Sequence, residues 1–191
     1  PCSFDGVATH TCNLWAESGS LLLADGETVP IWGYADSDGG APQLPGPIII
    51  ANEGDTVIVN LTNHLAEATS MVFPSQTMVP DLTGVAPGGS TTYTFVASNP
   101  GTFLYEAGLL PGAQHQVPMG LYGALVVVPS IGAGHAYNDV ATAFDEEVLL
   151  VLSEIDPDLN ANPGTFDLRD YNPSYKLING QSYPDSGDIA V

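Results

Sequence analysis

Turn signals cut the chain at short intervals: LPGP at 44–47, PGGS at 87–90, NPGT at 99–102 and INGQ at 178–181. Proline fixes φ and glycine admits positive φ, so each marks a place where regular structure stops. The stretches between them are strand-sized. GDTVIVNLTN (54–63) alternates, with Val57, Val59 and Leu61 on one face and Thr56, Ile58 and Asn60 on the other. TTYTFVA (91–97) alternates again, with Tyr93 and Phe95 on one side. LYGALVVVP (121–129) and EEVLLVLSE (146–154) are more continuously apolar, as strands buried on both faces are. There is no long amphipathic helix and no internal repeat. Many short strands with such turns predict an all-β chain, an antiparallel sandwich or barrel whose core lies between two apolar sheet faces.

With 191 residues, 44% of them apolar, the chain can bury a proper core. No apolar run approaches the ~20 residues of a membrane-spanning helix. Charge is lopsided: 22 acids face two bases, Arg169 and Lys176, for a formal charge of −20. That field repels nucleic acid and anionic membrane, and no basic cluster offers a phosphate site. It also leaves trypsin-like proteases only two residues to attack. Cys2 and Cys12 lie close together near the N-terminus. In an oxidising compartment they would pair and staple a loose end. The rival, a pair of metal-binding thiols, lacks a second Cys/His pair at zinc-finger spacing. Asn60-Leu61-Thr62 is a glycosylation sequon inside an expected strand. The first residue is Pro1 rather than Met, which suggests a removed leader or a trimmed chain. These features suggest a secreted or cell-surface protein.

Several ordered blocks resemble one family. QLPGPIIIANEGDTVIVNLTNHL (43–65) is similar to the first cupredoxin domain of multicopper oxidases. GTFLYEAG and MGLYGALVVVP resemble the end of that domain, and VLLVLSEID followed by YKLINGQSYPD resembles the passage into a second one. The resemblance implies a Greek-key β-sandwich, cupredoxin-like, with a C-terminal extension that leads toward another such domain, and a copper-dependent oxidoreductase. The family's trinuclear copper cluster needs His-x-His pairs, two imidazoles on one face of a strand. Where it reads H-W-H-G, this chain reads VFPS, with Val72 and Pro74 at the histidine positions. Where it reads Y-H-S-H, this chain has Glu106 and Gly108. Hydrocarbon and bare backbone cannot ligate copper, and one carboxylate does not replace four imidazoles. The blue-copper site fares no better, because Ala107 stands nearest its cysteine position. His115 and Met119 lie in the loop that would supply the downstream histidine and the axial ligand. With Glu106 they are the only candidates for a relic copper site. The plainer expectation puts Met119 in the core and His115 on the loop surface, with His10, His64 and His135 as scattered surface residues.

Other chemistry is thinner. Asp156, Asp158, Asn160 and Asn162 alternate in DPDLNANPG, a spacing that can converge on calcium, but Ala161 and Asp167 stand where an EF-hand wants Gly and Glu. Asp36 and Asp38 form another acidic turn. Glu146 and Glu147 are adjacent and face opposite ways on a strand. No G-x-S-x-G elbow or phosphate loop appears, so no catalytic set is expected and no cofactor either, beyond these copper and calcium candidates.

The expected organisation is an N-terminal segment 1–19 carrying the Cys2–Cys12 disulfide, a sandwich over 20–155, a polar turn-rich linker over 156–174 and a C-terminal strand or arm over 175–191. Three functions fit: a non-catalytic extracellular structural module; the ligand-free first domain of a longer multicopper oxidase; or a cation- or carbohydrate-binding module. The first has a sharper form, in which Tyr175, Leu177, Ile178, Ile189 and Val191 belong to an arm that docks on the next subunit and builds a filament. Self-association or a further cupredoxin domain would be the partner. Unpaired acids also carry a consequence: divalent cations should relieve their repulsion. The melting midpoint is expected to be higher in calcium than in EDTA; equal midpoints would refute this.

Overall fold

A computed structural model describes residues 2–186. Among the described residues there are twelve strands: β1 Cys2–Phe4, β2 Thr9–Leu22, β3 Thr28–Ala35, β4 Gly46–Asn52, β5 Thr56–Asn63, β6 Met71–Val72, β7 Ser90–Val96, β8 Gly101–Ala107, β9 Tyr122–Val128, β10 Leu152–Ile155, β11 Tyr175–Ile178 and β12 Gln181–Ser182. Two short helices, α1 (Gln116–Met119) and α2 (Pro157–Ala161), interrupt them. One sheet runs β1-β2-β5-β7, with β3 also paired to β2. A second runs β4-β9-β8-β6, and a small third sheet runs β10-β11-β12. The all-β, two-layer architecture is the expected one, but not purely antiparallel. β2 pairs in parallel with β5, and β4 with β9. Alternation in a sequence fixes which side chains face inward; it does not fix the direction of the neighbour.

The core follows from the pleat. Val57, Val59 and Leu61 of β5, Leu14 and Ala16 of β2, and Tyr93 and Phe95 of β7 turn inward. They meet Ile49, Ala51, Tyr105, Leu125 and Val127 of the second sheet. Phe73 links the layers, its ring 4.6 Å from Phe95 and 6.1 Å from Tyr105. Tyr105 lies directly across from Gly123 on β9, and a Cβ at 123 would collide with its ring, so only glycine fits there. The Tyr105 hydroxyl donates to Pro47 O at 2.7 Å, which lets a buried phenol keep a partner.

The expected boundaries shift in three places. β2 runs unbroken through residue 19 and pairs with β5 from Thr9 onward, so the N-terminal stretch is part of the sandwich. Cys2 and Cys12 are disulfide-bonded across the β1/β2 register, and Cys12 is fully buried in the core. EEVLLVLSE is not one strand: only Leu152–Ile155 is laddered. Leu149 and Val151 instead pack with Tyr122 and Ala124 on the outer face of β9, while Val148, Leu150 and Leu152 stay exposed. Burial alternates along it as in a strand, but the segment packs face-on and is not laddered before Leu152.

The segment 156–174 is not a plain linker. Asp156 caps α2 by accepting from the backbone N–H groups of Asp158 and Leu159, with Pro157 at the first helical position. Leu159 is fully buried, and Asn160 Nδ2 donates to Pro30 O of β3 at 2.7 Å. Tyr175–Ile178, expected as a projecting arm, pairs within the chain instead, with β10 on one side and β12 on the other. Leu177 and Ile155 are buried against Leu23, Val29 and Ile31. The INGQ signal is a two-residue hairpin turn with positive φ at Asn179 and Gly180, as a primed turn demands. Asn179 also stitches the hairpin to the crossing segment, its Oδ1 accepting from Val151 N and its Nδ2 donating to Leu149 O. Ile189 and Val191 lie outside the described residues.

One end of the sandwich is closed by a polar knot. His10 Nε2 lies 2.9 Å from Asp55 Oδ2, which also accepts from Asn52 N and Nδ2, and Phe4 stacks on the His10 ring at 4.6 Å. Burial pushes the Asp55 carboxyl up, but the hydrogen bonds from His10 and Asn52 outweigh it and hold it below the usual aspartate range. A lowered folded value stabilises the fold above the ordinary pKa of about 3.9. That contribution is lost as pH falls through the lower folded value. Asp55→Ala should therefore cost about 2 kcal/mol in urea unfolding at neutral pH and progressively less in strong acid. A penalty that does not change with pH would contradict this.

Candidate functional site

β6 and β8 carry the positions where copper ligands are expected. Val72 pairs directly with Glu106, and Met71 with Ala107. The pleat sends Met71 and Ala107 into the core, and both are buried. Val72 and Glu106 take the outward face, each half-buried. This is the same-face geometry that a ligand pair needs, and the scaffold keeps it. The donors are absent. Val72 offers only carbon. Pro74 is exposed just beyond the end of β6. Gly108 has no side chain, and a Cβ placed there would run into Ser70 Oγ, with Ser70 Cβ 3.2 Å away. The serine would have to turn aside before any side chain could enter.

Glu106 is the one ligand-type group on this face. It takes no hydrogen-bond partner among the described residues, and burial alone pushes its carboxyl above the usual glutamate range. His115 does not join it. The loop before α1 turns His115 inward, where it is 7% exposed, which corrects the expected surface position. Its Nε2 lies 2.9 Å from Glu67 Oε1, and its ring meets Trp32 edge-on at 5.5 Å. Gln116, fully buried, donates from Nε2 to Glu67 Oε1 at 2.6 Å and to Ala68 O at 2.8 Å. Thr69 Oγ1 donates to Gln116 Oε1 at 2.9 Å. Met119 is buried at the end of α1, as expected. So the loop that would supply a histidine and an axial ligand is held by a Glu67–His115–Gln116–Thr69 network. The imidazole is used to satisfy a carboxylate. Glu67, Thr69 and Gln116 carry no signal in the sequence, since no spacing links a residue near 67 to one near 116.

The remaining candidates also separate. Asp156 and Asn160 are buried and engaged in capping α2 and bonding β3, while Asp158 and Asn162 are exposed. A helical turn points these residues apart, so the alternation expected to converge on calcium does not do so. Asp36 and Asp38 are exposed; Asp38 Oδ1 lies 3.8 Å from His64 Nε2, whose Nδ1 is 2.6 Å from Glu17 Oε1. His64 is exposed, whereas His10 and His135 are half-buried. Asn60 lies on β5, its Nδ2 donating to Asn13 Oδ1 at 2.9 Å. Among the described residues, no three His, Cys, Asp or Glu side chains converge as a metal site. Nor is any helix among them long and apolar enough to cross a membrane.

A two-sheet β-sandwich with paired ligand positions on β6 and β8 is the architecture of cupredoxins, and comparison with known proteins agrees. The family profile described as Multicopper oxidase matches residues 22–131, and the chain belongs to that family. It is 37% identical over 123 residues to L-ascorbate oxidase of Cucurbita pepo var. melopepo, covering 59% of this chain and 21% of that protein. It is 30% identical over 122 residues to the copper-containing nitrite reductase of Neisseria meningitidis serogroup B, covering 59% of this chain and 28% of that protein. In structure it resembles the blue copper oxidase from Nitrosomonas europaea, with a TM-score of 0.74 and 23% identity, over 92% of this chain and 54% of that one. The chain thus spans 21% and 28% of the length of these two curated relatives. The copper chemistry does not fit the residues present: the positions hold Val72, Pro74, Glu106, Ala107 and Gly108.

Glu106 supplies a direct test of the outward face. An acid with a raised folded pKa destabilises the fold, and the penalty grows as pH rises from the ordinary value of about 4.3 through the folded one. Glu106→Gln should raise the urea midpoint at pH 7 and leave it unchanged at pH 3. An unchanged midpoint at pH 7 would mean that the carboxyl is fully solvated.

Proposed function

We propose that this chain is a copper-free cupredoxin domain of a larger multicopper-oxidase-type protein, with any redox copper carried on other domains. The observation that supports this most is the same-face register of Val72 and Glu106 with a lone carboxylate as its only donor. The membership of the family and the short span of the chain against its relatives favour the same reading. In this reading the two sheets follow the family's Greek-key path. The domain works outside the cell, where the Cys2–Cys12 pair stays oxidised. Its part is to position other domains through a rigid sandwich rather than to transfer electrons itself. The filament-building alternative rested on a free C-terminal strand, and the described part of that strand is consumed within the chain.

The test is metal content in two samples. The isolated 191-residue chain, incubated with copper and desalted, should hold no stoichiometric metal and show no blue absorption band. The native polypeptide should be longer and should hold copper, with an H-C-H motif followed by His and Met beyond this segment. Stoichiometric copper with a blue band in the isolated chain would overturn the proposal. So would a native polypeptide no longer than this chain.

A further inference from the structure

The outer face of the first sheet is a regular, uncharged, hydrogen-bonding surface. The register of β2, β5 and β7 lines up four rows across three strands: Thr9–Thr56–Val96, Thr11–Ile58–Thr94, Asn13–Asn60–Thr92 and Trp15–Thr62–Ser90. No bulge or register shift interrupts them. All of these side chains reach solvent at least in part, and none is ionisable, in a chain with 22 acids. Strand geometry sets the rows about 6.7 Å apart and the columns about 4.8 Å apart, so the plane measures about 10 Å by 20 Å.

The side chains are already fixed. Asn60 Nδ2 donates to Asn13 Oδ1 at 2.9 Å, and Thr92 Oγ1 donates to Asn60 Oδ1 at 2.9 Å. Thr62 and Ser90 share a hydroxyl–hydroxyl bond of 3.0 Å. This ladder orders the row before any ligand arrives, so little side-chain entropy remains to be lost on binding. It leaves capacity unspent: both Asn13 amide hydrogens, one on Asn60, and hydroxyl lone pairs along the threonines. Ile58, Val96 and Trp15 set apolar surface among these donors and acceptors, of the kind that covers the carbon face of a ring.

Charge decides the class of occupant. The field of a −20 chain repels polyanions and repels a second copy of itself. A polycation would be drawn to the acidic loops rather than to this uncharged plane. A neutral partner rich in hydroxyls matches both the amide and hydroxyl ladder and the missing charge, and a plane without a pocket suits an extended polymer. We propose that this face binds a neutral polysaccharide. The proposal does not depend on the copper reading above.

The experiment is affinity electrophoresis of the full chain, made in a host that does not glycosylate Asn60. The gels contain hydroxyethylcellulose, a soluble β-1,3-glucan, galactomannan or, as the anionic control, polygalacturonate. Retardation by at least one neutral glycan and none by polygalacturonate is expected. Thr92→Glu and Asn13→Asp, both at exposed positions, should weaken the retardation at least tenfold. Thr102→Glu, exposed on β8 of the opposite sheet, should leave it unchanged, with circular dichroism confirming that all three variants fold. The proposal fails if no neutral glycan retards the parent chain. It fails equally if Thr102→Glu weakens binding as much as Thr92→Glu, or if neither ladder variant has an effect. Sedimentation that reveals a dimer abolished by Asn13→Asp would assign the face to a second copy and overturn it too.

Discussion

The phase of the pleat on β8 governs what this protein can be. Tyr105 and Ala107 point into the sandwich, and Glu106 therefore points out beside Val72. Tyr105 then needs Gly123 opposite it and Pro47 to accept its proton, which fixes β4, β9 and β8 against one another. A slip of one residue would bury Glu106 and expose Tyr105, so the register is strongly specified. The same phase creates a place where two ligands could sit side by side. Architecture and ligand chemistry are separate properties of the strand, and this chain retains only the first.

Much of the fold can be read from the sequence because the signal is local. Val57, Val59 and Leu61 against Thr56, Ile58 and Asn60 is a period-two pattern, and β5 follows it. The INGQ turn likewise appears where Asn and Gly require it. What could not be read depends on distant partners. The parallel pairing of β2 with β5 leaves no mark in either strand. The crossing segment at 146–151 runs into an apolar stretch like that of a buried strand, yet it is not laddered. The polar stretch at 156–174 looks solvated, yet Leu159 and Asn160 are buried because β3 offers them Pro30 and an apolar floor. His115 reads as a loop histidine until Glu67, almost fifty residues away, is placed beside it.

The candidate site was legible mainly as a set of substitutions, since Val72, Pro74, Glu106 and Gly108 stand in recognisable blocks. The surrounding network of Glu67, Gln116 and Thr69 was not. Nor was the uncharged plane on the other sheet, although three of the four residues in its central column appear in the alternation of β5. It emerges only when three strands are set in register. Most acids lie outside the strands, and two compact polar knots, at Asp55 and at Glu67, pair polar groups drawn from the surface. This division lets a chain of such high net charge keep a conventional interior.

The closing of the space at Gly108 by Ser70 bears on how reversible the loss of metal is. Before an imidazole could stand at that position, the Ser70 hydroxyl would have to swing away and its Cβ, at 3.2 Å, would have to give. A scaffold crowded at its own ligand position thus resists the entry of a donor more than a bare glycine would suggest.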